Sequence, residues 1–206
     1  MSDRFQLVVL ASGSGTNLQA ILDQLHGRDG IEVAGVGSDK PGARALERAV
    51  AAGVETAVFP ADAYEDRLGR DAAMADWVQA RGADLVVLAG YMQLLSEPFV
   101  ARFRGRIVNI HPALLPDFPG LDAIGQALAA GVEETGVTVH LVDEGVDTGP
   151  AIARRRVPVP ADRDRARLET LIHAVEHQLY PEAIRMIAEG RVRIDADDPR
   201  VVLIDE

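Results

Sequence analysis

The feature that most constrains this chain is an alternation running through its first half. Short, almost unbroken apolar runs are followed by segments whose apolar residues recur at helical spacing. Phe5–Ala11 (FQLVVLA) is a run of strand length, and beyond the glycine-rich turn Ser12–Asn17 the residues Leu18, Ile21, Leu22 and Leu25 fall on one face of a helix. The pattern recurs as strand Glu32–Val36, helix Ala43–Ala52, strand Thr56–Phe59, helix Tyr64–Ala80 and strand Asp84–Ala89. Strands without polar alternation need apolar cover on both faces, and the helices between them supply it, so the sheet is expected to be parallel.

The second half changes character. Arg106–Ile110 reads as a strand followed by a long proline-rich loop, HPALLPDFPG, and Ala123–Ala130 as a helix ended by Gly131. Gly136–Val142 and Pro150–Val159 read as strands joined by DEGVDTG, a late antiparallel addition. Arg163–Glu189 is expected to be a long helix burying Leu168, Leu171, Ile172, Val175 and Leu179, and the tail GRVRIDADDPRVVLIDE two short strands around a turn. The expected fold is a doubly wound α/β domain: a mostly parallel sheet with helices on both faces and a late antiparallel strand. With 206 residues and no repeat or hinge-like linker, a single domain over 1–206 is expected. Within it, a first half covers about 1–90, a second half about 91–190, and a short tail follows.

Composition narrows the chemistry. There is no Cys, which excludes disulfides, cysteine nucleophiles and thiolate metal sites and suits a reducing compartment. The N-terminal apolar run is too short for a signal peptide, and no stretch approaches the roughly 20 residues of a membrane helix, so a cytoplasmic protein without a membrane partner is expected. Thirty-two acids against 21 bases give a net charge of −11, and Lys40 is the sole lysine. Such a surface repels nucleic acid, and an anionic ligand must be held locally by backbone N–H groups or single arginines.

Four motifs carry candidate chemistry. The turn Ser12-Gly13-Ser14-Gly15-Thr16-Asn17 joins the first strand to the first helix, where free N–H groups favour an anion. A dinucleotide reading would use Asp39 as the ribose acid, but Leu18 stands where the third glycine of G-x-G-x-x-G belongs, so a single phosphate monoester suits the loop better. A plain turn with Ser14 or Thr16 as N-cap is the bland alternative. Asn109-Ile110-His111-Pro112 ends a buried strand, where open α/β sheets place ligands, and Asn109 and His111 alternate to one side. An amide donor beside a titrating imidazole suits acyl transfer, one group holding an oxyanion and the other moving protons; the alternative is a strand-end histidine bonded to a neighbouring carbonyl. In the acidic turn Asp143–Pro150, Asp147 is expected to reach His111, orient its tautomer and favour its charged form, unless the turn is simply a solvated loop. Finally, His173-Ala-Val-Glu176-His177 matches H-x-x-E-H, a zinc pattern that needs a third ligand and a cleft to carry weight.

Taken together, VVLASGSGTNLQAI, DLVVLAGYMQLLS, IVNIHPALLPDFPG, GVTVHLVDEGVDTGPAI and AVEHQLYPEAI resemble the phosphoribosylglycinamide formyltransferase family over nearly the whole chain. The resemblance implies the formyltransferase fold. It implies transfer of the formyl group of 10-formyltetrahydrofolate, as co-substrate, to the glycinamide amine of 5-phosphoribosylglycinamide in purine biosynthesis, with no metal. Asn109, His111 and Asp147 match the family's catalytic trio. Gly15, Thr16 and Asn17 would hold the substrate phosphate and Glu176 the ribose hydroxyls. Arg67, Met92, Gln93, Leu94, Leu95, Asn109, Asp143, Glu144, Gly145, Val146 and Asp147 would contact the folate, with Arg70 the rival to Arg67. The expected partners are these small molecules, without nucleic acid or membrane, and a homodimer is allowed for. Methionyl-tRNA formyltransferase, formyltetrahydrofolate hydrolase and a non-catalytic nucleotide-binding module are the competing readings.

Overall fold

The computed structural model describes residues 4–195, 198 and 201–205. Its elements run β1 (Phe5–Leu10), α1 (Thr16–Gln24), β2 (Ile31–Ser38), α2 (Arg44–Ala51), β3 (Thr56–Val58), a 3-10 turn at Ala61–Ala63, α3 (Arg67–Ala80), β4 (Leu85–Leu88), α4 (Glu97–Arg102) and β5 (Ile107–His111). They continue with α5 (Ala123–Ala130), β6 (Glu134–Leu141), β7 (Ala151–Pro158), α6 (Arg165–Ala188), β8 (Val192–Ile194) and β9 (Val202–Ile204). The chain divides into two compact units, one up to Val108 and one from Asn109.

In the first unit the strand order is β3-β2-β1-β4, with the start of β5 beside β4, and the β1, β2, β3 and β4 pairings are parallel. Leu7, Val8, Val9 and Leu10 of β1 are fully buried, which explains an apolar run with no polar alternation. Order reverses between β1 and β4: the chain winds outward through β2 and β3, then returns to begin again at β4. A crevice opens at such a switch point beyond the carboxyl ends of the strands. Here the Ser12 N–H donates to the Gly90 carbonyl at 3.0 Å, and Ser12 Oγ accepts the Met92 N–H at 2.8 Å.

In the second unit the end of β5 lies beside β6, and β6 pairs antiparallel with β7, the late antiparallel addition expected. Helix α6 packs on β6 and β7. The Leu115–Pro116 peptide is cis. In the tail β8 pairs antiparallel with β9; Ala196, Asp197, Pro199 and Arg200 of the expected turn lie outside the described residues.

Three local expectations are corrected. Helix α3 begins at Arg67 rather than Tyr64, because Asp66 caps it by accepting the Gly69 N–H at 2.7 Å and the 3-10 turn occupies Ala61–Ala63. Helix α4 lies where no element was expected; it is six residues long with a proline in its first turn, too short for a periodic signal. On α6 the buried face is Leu168, Ile172, Glu176, Leu179 and Ala183, whereas Leu171 is exposed. The stripe therefore runs through a carboxylate.

One buried ion pair organises the first unit. Arg70 Nε and Nη2 donate to Asp71 Oδ1 at 3.0 and 2.9 Å, and Asp71 Oδ2 accepts the Ser96 N–H at 2.7 Å. Both side chains are almost wholly buried. Removing one partner strands the other charge without solvent. Asp71→Ala should therefore lower the unfolding free energy by about 3–5 kcal/mol, measured by urea denaturation, whereas the double replacement Arg70→Leu/Asp71→Leu should cost much less.

Candidate active site

The second unit gathers three polar side chains around one carboxylate. Strand β5 delivers Asn109 and His111 to the same side by its two-residue period. Pro112 follows directly and keeps His111 out of helical geometry. His111 is 4% exposed. Its Nε2 lies 2.8 Å from the Phe118 carbonyl, which can only accept, so the Nε2 proton is fixed. Its Nδ1 lies 3.3 Å from Asp147 Oδ2. Asp147 Oδ2 also accepts the Gly120 N–H at 2.8 Å. Asn109 Nδ2 stands 3.4 Å from Asp147 Oδ1 and 3.3 Å from His140 Nε2.

A second histidine, His140, joins the cluster although it belongs to none of the four motifs. It sits near the end of β6, buried, with Nδ1 donating to the Leu141 carbonyl at 2.8 Å and Nε2 3.5 Å from Asp147 Oδ1. The signal for it was a histidine in the strand GVTVHLV, three residues before the acidic turn; the backbone groups of Phe118 and Gly120 had no side-chain signal at all.

The turn that carries Asp147 is self-bracing. Asp143 Oδ1 accepts the Gly145 N–H at 3.0 Å and the Thr148 hydroxyl at 2.7 Å. A Cβ on Gly145 would fall 1.9 Å from Thr148 Oγ1, so only glycine fits there. Asp147 itself adopts φ +54°, and Phe118 and Asp122 across the proline-rich loop adopt +54° and +57°. Left-handed backbone at non-glycine residues stores strain, which clusters at functional sites. A cavity of about 430 Å³ adjoins the turn, lined among others by Leu115, Pro119, Val146, Asp147 and Arg154. Val146 and Asp147 of the predicted folate segment thus line the cavity; Asp143 braces the turn, and Glu144 and Gly145 are exposed within it.

Burial alone would raise the Asp147 pKa. The hydrogen bond with His140, the Gly120 amide and the positive field of His111 and His140 outweigh it and hold the carboxyl below its ordinary value.

In the first unit the Ser12–Asn17 turn leads into α1 with Gly15 as N-cap, φ +69°, and no side chain capping the helix. Neither Ser14 nor Thr16 takes the capping role, so the first-turn N–H groups are not closed off by a side-chain cap. Thr16 and Asn17, the other two residues matched to the phosphate, open α1. Leu18 is fully buried. Asp39 is not presented to a ribose: it is 8% exposed, and its Oδ2 accepts from Gln93 Nε2 at 3.0 Å.

The Met92–Leu95 segment follows β4, fastened at its start by Ser12 and just past its end by Asp71, which leaves Met92 and Leu94 59% and 60% exposed. Arg67 is exposed at the start of α3, whereas the guanidinium of Arg70 is spent inside the buried pair with Asp71. Of the two candidate arginines, Arg67 is the one available to a ligand.

On α6, Glu176 is 4% exposed, 4.0 Å from His173 Nε2. His173 and His177 stack in parallel, centroids 6.2 Å apart. Ring lone pairs lie in the ring planes, so stacked imidazoles do not converge on a common ion. Among the described residues no group of three or more His, Cys, Asp or Glu side chains is placed to hold a metal. Burial, with His173 beside it, lowers the His177 pKa.

The formyl transferase family model matches residues 5–184. The chain belongs to the formyl transferase family. It is 39% identical over 183 residues to phosphoribosylglycinamide formyltransferase of Bacillus subtilis (strain 168), covering 88% of this chain and 94% of that protein. It is 44% identical over 197 residues to the trifunctional purine biosynthetic protein adenosine-3 of Drosophila melanogaster, covering 94% of this chain but only 15% of that much longer protein. In three dimensions it superposes on the crystal structure of glycinamide ribonucleotide transformylase 1 from Symbiobacterium toebii with a TM-score of 0.94 and 49% identity, covering 100% of this chain and 96% of that one.

The depressed Asp147 carboxyl has a consequence for stability. The unfolded chain binds this proton more readily than the folded one, so the contribution is complete above the ordinary aspartate value of about 3.9 and is lost as pH falls through the lower folded value. Asp147→Asn should therefore be less stable than wild type near neutrality, and the gap in urea midpoint should close as pH is lowered from about 5 to about 2.

Proposed function

We propose that this chain is a phosphoribosylglycinamide formyltransferase of purine biosynthesis, passing the formyl group of 10-formyltetrahydrofolate to the glycinamide amine of 5-phosphoribosylglycinamide. The observation that carries the reading is the cluster of Asn109, His111 and Asp147 in a member of the formyl transferase family. The substrate amine attacks the formyl carbon, the carbonyl oxygen becomes an oxyanion, and the C–N bond to the folate nitrogen breaks as that nitrogen takes up a proton. Charge grows on the oxygen only as the transition state forms, so donors aimed there lower the barrier.

His111 is suited to that task as an imidazolium. With Nε2–H donated to Phe118, a neutral ring would turn a lone pair toward the Asp147 carboxylate; a proton on Nδ1 replaces that repulsion with a charge-assisted contact. In this proposal His111 exchanges the Phe118 carbonyl for the oxyanion, and Asn109, whose contacts to Asp147 and His140 are long, turns its amide to the same oxygen. His111 or a bound water then moves a proton from the attacking amine to the leaving nitrogen. Gly15, Thr16 and Asn17 bind the phosphate and Glu176 the ribose. Arg67, Met92–Leu95, Asn109 and Asp143–Asp147 contact the folate. A cytoplasmic location suits the cysteine-free, acidic composition.

Purified protein incubated with 10-formyltetrahydrofolate should release the deformylated folate only when phosphoribosylglycinamide is present. Release without the amine would make the protein a hydrolase, and no release in either case would remove the formyl-transfer reading. His111→Ala should lower kcat by about a hundred- to ten-thousandfold and Asn109→Ala by about a hundred- to a thousandfold. In His111→Ala folate binding should remain, as followed by fluorescence titration.

A further inference from the structure

The phosphate loop is gripped by a side chain that the catalytic reading does not use. Arg48 stands on α2, half-buried, with Nε donating to the Ser14 carbonyl at 2.8 Å and Nη1 to Gln19 Oε1 on α1 at 2.9 Å. The approach of α2 is close. The Ala45 N–H donates to the Gly13 carbonyl at 3.1 Å, and a Cβ on Gly15 would fall 2.7 Å from Ala45 Cα and 3.2 Å from Arg48 Cδ. Gly15 at φ +69° is thus held both by its backbone geometry and by the helix above it.

In a trans peptide the C=O and N–H point in opposite directions. Fastening the Ser14 carbonyl to Arg48 therefore turns the Gly15 N–H away from α2, toward the open start of α1. The guanidinium also brings a fixed positive charge to the loop of a protein whose net charge is −11 and which has a single lysine. We propose that Arg48 is a positioning residue for the phosphate of the acceptor substrate: it sets the Ser14–Gly15 peptide so that its N–H faces the anion, and it offsets the acidic field there. This rests on the assignment of the phosphate to Gly15–Asn17.

The test compares the phosphorylated acceptor with its dephosphorylated riboside in wild type, Arg48→Ala and Arg48→Lys. Wild type should prefer the phosphorylated acceptor. Arg48→Ala should cut that preference about tenfold or more, the scale of a hydrogen bond to a charged group. The loss should appear in KM for the phosphorylated acceptor, with kcat and the KM for 10-formyltetrahydrofolate retained. Arg48→Lys keeps the charge but cannot span Ser14 and Gln19, so it should recover part of the preference. Should Arg48→Ala fold poorly, Gln19→Ala removes the second anchor alone and should weaken the preference in the same direction. Equal losses with both acceptors would make Arg48 a structural residue only and overturn the proposal. A wild type that does not distinguish the two acceptors would overturn the phosphate assignment itself, and the proposal with it.

Discussion

The carboxylate of Asp147 is the point around which the second unit's polar groups are arranged. One oxygen takes the Gly120 amide and faces His111 Nδ1, and the other faces His140 Nε2 and the Asn109 amide. A carboxylate among apolar strands is costly unless it is paired and bonded, and here each oxygen has partners on at least two sides. Those partners come from β5, from the proline-rich loop and from β6, so the carboxylate and its partners lock the three segments together. The left-handed backbone at Asp147, Phe118 and Asp122 is the strain the arrangement tolerates to bring them there.

The sheet explains why such a cluster forms where it does. Buried parallel strands must be apolar along their length, so polar chemistry is pushed to their carboxyl ends and the loops beyond. Asn109 and His111 close β5, Ser12 follows β1, and Met92 follows β4. The first unit answers the same constraint with its own buried charges: the Arg70–Asp71 pair and the Asp39–Gln93 contact fasten the segment beyond β4 from beneath and leave its apolar side chains outward. In each unit a buried acid positions a loop.

Much of this was legible in the sequence, for identifiable reasons. The strands of the first half declared themselves because two-sided burial leaves no polar residue in them. Asn109 and His111 were legible because a strand end has a known place in this architecture, and Asp147 because a Thr-Gly-Pro backbone follows it. What escaped was set by tertiary contact. His140 is chemically special only because β6 lies beside β5, and the Phe118 carbonyl and Gly120 amide are backbone groups that every residue carries. Glu176 was assigned a role from resemblance, yet its place on the buried face of α6 ran against the expected stripe, in which Leu171 should have been covered. Helix periodicity alone could not choose between two faces one residue apart. Arg67 and Arg70 were equivalent as letters, and burial separates them.

Asp147 holds its three segments together as a carboxylate, and its bonds keep it in that form. Carbon-13 spectra of aspartate-labelled protein recorded through acid pH, with Asp147→Asn used to assign the signal, test this. The Asp147 carboxyl should titrate below the ordinary aspartate value, because the His140 contact, the Gly120 amide and the field of the histidines outweigh its burial. An Asp147 carboxyl that titrates at or above that value would show that burial wins and that the cluster is not built around a charged group.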